Sequence, residues 1–133
     1  MSGCYLDASA LVKLATPEAE TRALRRALDR YDTRLTSRLA MVEVARALVR
    51  RGVASAALVD AVAEAFSGLA VVELGPAVAE AAGTVAPPTL RSLDAVHLVS
   101  ALSIREELTA VITYDHRLAD AARAAGLEVM APG

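Results

Sequence analysis

Five short apolar runs punctuate this chain, and each of the first four leads within a residue or two into a segment of helical character. Gly3-Cys4-Tyr5-Leu6-Asp7 reads as a buried strand, with a short helix over Ala8 to Ala15 directly behind it. Arg34-Leu35-Thr36-Ser37 is a weaker strand pattern ahead of a helix from Leu39 to Arg51, which Gly52 ends in the left-handed conformation that glycine tolerates. Leu69 to Leu74 has β-branched character, and Pro76 to Val85 is helical until Pro87-Pro88 forbids continuation. Ala110-Val111-Ile112-Thr113 is a buried strand before a helix from Asp115 to Ala125 closed by Gly126, and Leu127 to Met130 is a last strand. Three more helices fill the gaps: one capped by Thr16 and running to Tyr31, one capped by Ser55 and running to Ser67, and one capped by Ser92 and running to Glu107. Such alternation folds as an α/β domain with a mainly parallel central sheet flanked by helices.

A chain of 133 residues fills one domain, 1–133, so any site must be assembled from distant parts of a single fold. Ala, Val and Leu carry most of the 55% apolar content, with one Phe, three Tyr and no Trp. The core is therefore aliphatic, and the low aromatic content argues against a platform that stacks bases on aromatic rings. The net charge of −2 gives no overall field to attract nucleic acid, so contact with a polyanion has to be local. Lys13 is the single lysine, while nine arginines crowd between Arg22 and Arg51, where a solvated helical face is the ordinary reading. Cys4 has no partner for an intramolecular disulfide or a thiolate zinc site, and its apolar neighbours imply a buried, inert thiol. Asp7 interrupts the first apolar run and no later run reaches spanning length without charge, so a soluble, cytoplasmic protein without membrane contact is expected.

Residues just past a strand in a parallel sheet face the crevice where ligands bind. Asp7 and Asp115 both stand there, and both also begin helices, where an Asp caps backbone N–H groups with or without other chemistry. Glu43 is the only acid between Asp32 and Asp60 and lies in the apolar run Met41-Val42-Glu43-Val44-Ala45; an intrahelical pair with Arg46 is its ordinary explanation. Asp94 follows Ser92-Leu93 at a helix start, where the helix dipole favours an acid regardless of function. Taken together, four acids reaching the same sheet edge form a nest that suits a hard divalent cation such as Mg²⁺ or Mn²⁺, which prefers carboxylate and water oxygens. Such a site activates water and steadies charge developing on a phosphodiester. Without an ion, the same carboxylates repel one another.

Four segments carry a family resemblance. Asp7-Ala8-Ser9-Ala10-Leu11-Val12-Lys13, Glu43-Val44-Ala45-Arg46-Ala47-Leu48, Asp94-Ala95-Val96-His97-Leu98 and Thr113-Tyr114-Asp115-His116-Arg117-Leu118 resemble, in order, the motifs of PIN-domain toxins of the VapC type. The resemblance spans almost the whole chain. It implies a PIN-like fold and an endoribonuclease using Mg²⁺ or Mn²⁺, acting on RNA, forming a homodimer and inhibited by a cognate antitoxin protein. It also implies that Asp7, Glu43, Asp94 and Asp115 are the metal-binding acids, with Ser9 and Thr113 as hydroxyls orienting them or a bound water.

Other polar residues near these motifs have plainer readings. His97, flanked by Val96, Leu98 and Val99, reads as a packed, hydrogen-bonded histidine rather than a ligand; His116 and Asp120 read as surface residues, and Ser37 as a helix cap. Lys13 and Arg117 are the cations nearest in sequence to the acids and are candidate phosphate contacts. An aspartate-based phosphatase would need a second Asp two residues after Asp7, where Ser9 stands, and a receiver domain would need a late lysine. A PIN-like binding module without turnover is the remaining alternative. Leu24, Leu28, Met41, Val44, Leu48, Leu58, Val59, Val62 and Phe66 either complete the core or leave a patch for a partner helix, and an inhibitor could also set a cation into the acidic nest.

Overall fold

Gly3-Cys4-Tyr5-Leu6 has no charge to keep in water, and it forms the central strand of the sheet, buried along its whole length. The computed structural model describes residues 2–133. Its strands are β1 (Gly3–Leu6), β2 (Thr33–Ser37), β3 (Ala70–Val72), β4 (Ala110–Ile112) and β5 (Val129–Met130), in the order β3-β2-β1-β4-β5 with every pairing parallel. The helices are α1 (Ala8–Ala15), α2 (Thr21–Leu28), α3 (Leu39–Arg50), α4 (Ser55–Phe66), α5 (Pro76–Ala82), α6 (Ser92–Ser103) and α7 (His116–Ala124), with a 3₁₀ turn at Arg105–Glu107. The α/β class and the parallel sheet are those expected from the alternation of elements.

Side chains alternate across a strand, so β1 feeds two layers at once. Cys4 and Leu6 point into a core built with Leu11, Leu24, Leu28, Val44 and Leu48 of α1, α2 and α3. Tyr5 points the other way, onto Leu35, Val111 and Ala101 of α6. Farther along that second layer, Leu98 of α6 meets Leu118, Ala121 and Ala122 of α7. Cys4 is buried and unpaired, and burial pushes its thiol up to about 12, which makes it inert as expected.

Several boundaries differ from those read in the sequence, each for a local reason. Thr16 does not cap the second helix; its N–H donates to the Val12 carbonyl at 2.9 Å and it ends α1. The helix starts instead at Thr21, whose hydroxyl donates to the Lys13 carbonyl at 2.7 Å and accepts the Glu18 N–H at 2.9 Å. A helix begun at Thr16 would break that tie. Neither Ser55 nor Ser92 caps its helix, because Ala54 and Arg91 take the extended cap conformation one residue earlier. Gly83 ends α5 before Val85, Ile104 ends α6 before Glu107, and the edge strands β3 and β5 are shorter than their apolar runs. Gly52 and Gly126 follow α3 and α7 at φ of 83° and 90°, the expected left-handed stops.

Most of the apolar residues on α2, α3 and α4 complete the core. Leu24, Leu28, Val44 and Leu48 are fully buried, and Leu58, Val62 and Phe66 pack against them. Val59 stays exposed, together with Val42 and Val49, which the sequence had not singled out. No helix among the described residues is long and apolar enough to cross a membrane.

Candidate active site

Strand order fixes where the site lies. The chain builds outward from β1 through β2 to β3, then returns to the other side of β1 as β4 and β5, so the direction of winding switches between β1 and β4. Parallel sheets open a crevice at such a switch, beyond the carboxyl ends of the strands. Asp7 directly follows β1, and Thr113 directly follows β4. The register Leu6↔Ile112 sets these two residues side by side.

Asp7 is 4% exposed and both of its oxygens are held. Oδ1 accepts from the Ser9 hydroxyl at 2.7 Å and from the Ala10 N–H at 3.2 Å, and Oδ2 accepts from the Thr113 hydroxyl at 2.7 Å. The same hydroxyls accept from the next loop: Tyr114 N–H to Ser9 at 2.9 Å and Asp115 N–H to Thr113 at 3.0 Å. Ser9 and Thr113 therefore bolt the Asp7 carboxyl between α1 and the β4–α7 turn. Burial raises its pKa, and the bonds from Ser9, Thr113 and Ala10, with the nearby His97, only partly oppose that rise. Capping α1 and facing the crevice turn out to be one position.

Asp115 likewise caps α7, its Oδ1 accepting from the Arg117 and Leu118 N–H groups at 2.8 and 3.1 Å. Asp94 sits in the first turn of α6 and has no hydrogen-bond partner among the described residues. Its pKa is raised first by burial and then by the charge of Asp115, with Asp7 and Glu43 adding to the rise and His97 opposing it. One carboxyl that feels three others reports a shared electrostatic field. Glu43 reaches the field from α3. It does not pair with Arg46; its Oε1 accepts from His97 Nε2 at 2.6 Å. His97 is the packed, hydrogen-bonded residue its neighbours implied, 2% exposed and bonded to the Tyr5 hydroxyl through Nδ1 at 2.7 Å.

The four acids line one cleft of about 440 Å³ with Ser9, His97, Val12, Val42 and Leu93. Arg46 and Arg50 form part of its wall. In sequence they read as a solvated face and, for Arg46, as a partner of Glu43; their places three and seven residues past Glu43, on the same helical face, are the signal that could have found them. The two cations chosen for proximity in sequence lie elsewhere. Lys13 is tied to Glu20 at 3.0 Å and Glu18 at 3.6 Å and covers the Tyr114 ring at 4.6 Å, so its charge is already matched. Arg117 lines a separate groove with Val85, Pro87, Leu90 and Asp120. His116 and Asp120 are exposed, and Ser37, which stands one residue before the α3 cap Arg38 and is not itself the cap, accepts the Leu39 N–H at 3.1 Å.

The donor set fits a hard cation, being carboxylate and hydroxyl oxygens around a negative field. Among the described residues no three acidic, histidine or cysteine side chains are gathered closely enough to hold an ion between them. An open arrangement suits Mg²⁺, which keeps several waters and takes only one or two carboxylates directly.

The PIN domain profile matches residues 4–124, a span that runs from β1 through α7 and includes all four acids. The chain belongs to the PIN-domain family. Among its PIN-domain relatives, Ribonuclease VapC46 of Mycobacterium tuberculosis is 41% identical over 132 residues, covering 99% of each chain. Ribonuclease VapC47 of the same species is 40% identical over 133 residues, covering 97% of this chain and 96% of that one. Two solved structures share the PIN fold. M. tuberculosis VapC20, described as a toxin cleaving the sarcin–ricin loop, aligns with a TM-score of 0.72 at 19% identity over 97% of this chain and 99% of its own. A toxin–antitoxin complex from Klebsiella pneumoniae aligns with a TM-score of 0.72 at 20% identity over 98% of both chains.

Proposed function

We propose that this PIN domain is an endoribonuclease that hydrolyses RNA phosphodiester bonds with Mg²⁺ or Mn²⁺, as the toxin of a toxin–antitoxin pair. The observation that carries this reading is the convergence of Asp7, Glu43, Asp94 and Asp115, from separate elements, on one cleft walled by Arg46 and Arg50. Full-length similarity to proteins named as ribonucleases supports it. The acids would hold the ion, which when bound supplies Lewis acidity and eases ionisation of the attacking water. Asp7, clamped by Ser9 and Thr113, keeps one carboxyl fixed at the floor of the cleft. Asp94, without a hydrogen-bond partner among the described residues, would be free to adjust to the ligand. Glu43, held through Oε1, keeps its other oxygen unpaired among the described residues and would be the group that accepts a proton from the attacking water. Arg46 and Arg50 meet the RNA backbone as local positive charge, which the overall charge of −2 does not provide.

The test is cleavage of a structured RNA by the purified chain in EDTA and in added Mn²⁺. Cleavage confined to the Mn²⁺ sample is the expected result. Undiminished cleavage in EDTA would overturn the metal-dependent reading.

On this proposal the protein works in the cytoplasm as a homodimer restrained by an antitoxin. Val42, exposed on α3 at the cleft, with Val49 farther along α3 and Val59 on α4, offers apolar contact to such a partner. A basic side chain from the inhibitor could then occupy the acidic cleft and exclude both ion and RNA. Expression of this chain alone is expected to arrest growth, and co-expression with the small reading frame beside its gene to relieve the arrest, with both proteins co-purifying. Harmless expression of an active enzyme would count against the toxin role.

A further inference from the structure

Glu43 is a long side chain on a partly exposed helical turn, yet no residue of α3 holds its carboxyl among the described residues. What holds it comes from the opposite layer of the domain. Tyr5 of β1 is fully buried, and His97 of α6 nearly so. Their rings meet edge to face, with centroids 5.8 Å apart and planes at 73°. Tyr5 OH lies 2.7 Å from Nδ1, and Nε2 lies 2.6 Å from Glu43 Oε1. A carboxylate oxygen can only accept, so Nε2 carries the hydrogen. The Tyr5 hydroxyl, which can donate or accept, meets Nδ1 on the other side of the ring. The chain of bonds runs from the central strand outward to the cleft.

We infer that Tyr5 and His97 are positioning residues, a buried hydrogen-bond relay that fixes the Glu43 carboxyl in one orientation and leaves Oε2 for the cleft. The relay rests on the nuclease reading for its kinetic consequence only. Its structural consequence is independent of turnover: a carboxyl already aimed into the cleft binds a cation without first losing rotamer freedom. The packed T-shaped contact prevents the imidazole from turning away. A histidine serving only to fill the core would give the same burial but would leave cation binding unchanged when replaced.

The experiment compares the full chain with His97→Ala, His97→Gln and Tyr5→Phe, each first checked for folding by circular dichroism. Mn²⁺ affinity is measured by titration calorimetry, and kcat and KM on an RNA oligonucleotide are measured in parallel. His97→Ala is expected to weaken Mn²⁺ binding and to lower kcat by about 10- to 100-fold, with KM for RNA unchanged. His97→Gln, whose amide keeps a donor within reach of Glu43, is expected to recover part of both. Tyr5→Phe removes one hydrogen bond and is expected to weaken Mn²⁺ binding about 2- to 10-fold. Wild-type Mn²⁺ affinity in Tyr5→Phe and in any folded His97 variant would overturn the relay, and Tyr5→Phe alone decides should His97→Ala fail to fold. A wild-type chain that binds Mn²⁺ but cleaves no RNA defeats the nuclease reading instead, and the calorimetric comparison still judges the relay.

Discussion

Asp7→Asn is expected to lower RNA cleavage about 10²- to 10³-fold, the usual cost of losing one preorganised electrostatic group, while leaving the fold intact. The reason lies in the double duty of that residue. As a cap for α1 it holds the Ala10 N–H, and asparagine caps as well as aspartate does. The amide oxygen keeps the bonds from Ser9 and Ala10, and the amide nitrogen faces the Thr113 hydroxyl, which can rotate to accept. What disappears is one negative charge at the floor of the cleft. Because burial works against that charge, the metal-free variant is expected to melt no lower than the wild type at neutral pH and above. Asp94→Asn and Glu43→Gln should lose most turnover in the same way. Rates on an RNA oligonucleotide, with thermal melts as the control for folding, decide the matter; near wild-type cleavage by any two of the three folded variants would sink the assignment.

The features legible in the sequence were those with a local cause. β1 announced itself as an uninterrupted apolar run, and Gly52 and Gly126 marked the ends of α3 and α7 because the chain must turn left-handed there. Asp7 and Asp115 were visible for a similar reason: each is the residue where a strand hands over to a helix. Thr16 misled because Thr-Pro-Glu satisfies every local rule for a helix start, while the deciding bonds, Thr21 hydroxyl to the Lys13 carbonyl and Glu18 N–H to the Thr21 hydroxyl, depend on how α1 and α2 pack. Lys13 misled by proximity, since nearness along the chain says nothing of the two glutamates that fold back on it. Glu43 stood out as the only acid between Asp32 and Asp60, but its partner lies 54 positions away on another helix. Only the fold could supply His97, and Tyr5 behind it.

Metal-free protein is expected to lose stability as pH rises from the unfolded carboxylate range upward, and Mn²⁺ is expected to restore it. Asp7 and Asp94 both have raised pKa values in the folded chain, Asp7 from burial, Asp94 from burial and then the charge of Asp115. Between the unfolded value near 4 and the raised folded values, the native state binds more protons than the unfolded state. Stability therefore falls with rising pH across that window, and the contribution of these protonated groups is complete below it. Glu20 and Glu73 act in the opposite sense: Lys13 and Arg38 hold their pKa values down, so their help is lost as pH falls through the folded values. Both act at and below the ordinary carboxylate range, which leaves the raised acids to set the trend toward neutrality. An ion in the cleft reverses that trend by binding only the folded site, adding about 2.7 kcal/mol at a hundredfold excess over its Kd. For a domain of this size that is a rise of roughly 10 °C in Tm. The gain should grow with pH, because protons compete with the ion for the same oxygens. Asp7→Asn should flatten the metal-free pH dependence and shrink the Mn²⁺ response together, since one carboxyl causes both. Melts between about pH 5 and 8, in EDTA and in Mn²⁺, read all of these slopes at once. A metal-free Tm that climbs steadily across that range, or a neutral-pH Tm that ignores Mn²⁺, would contradict a preformed acidic site.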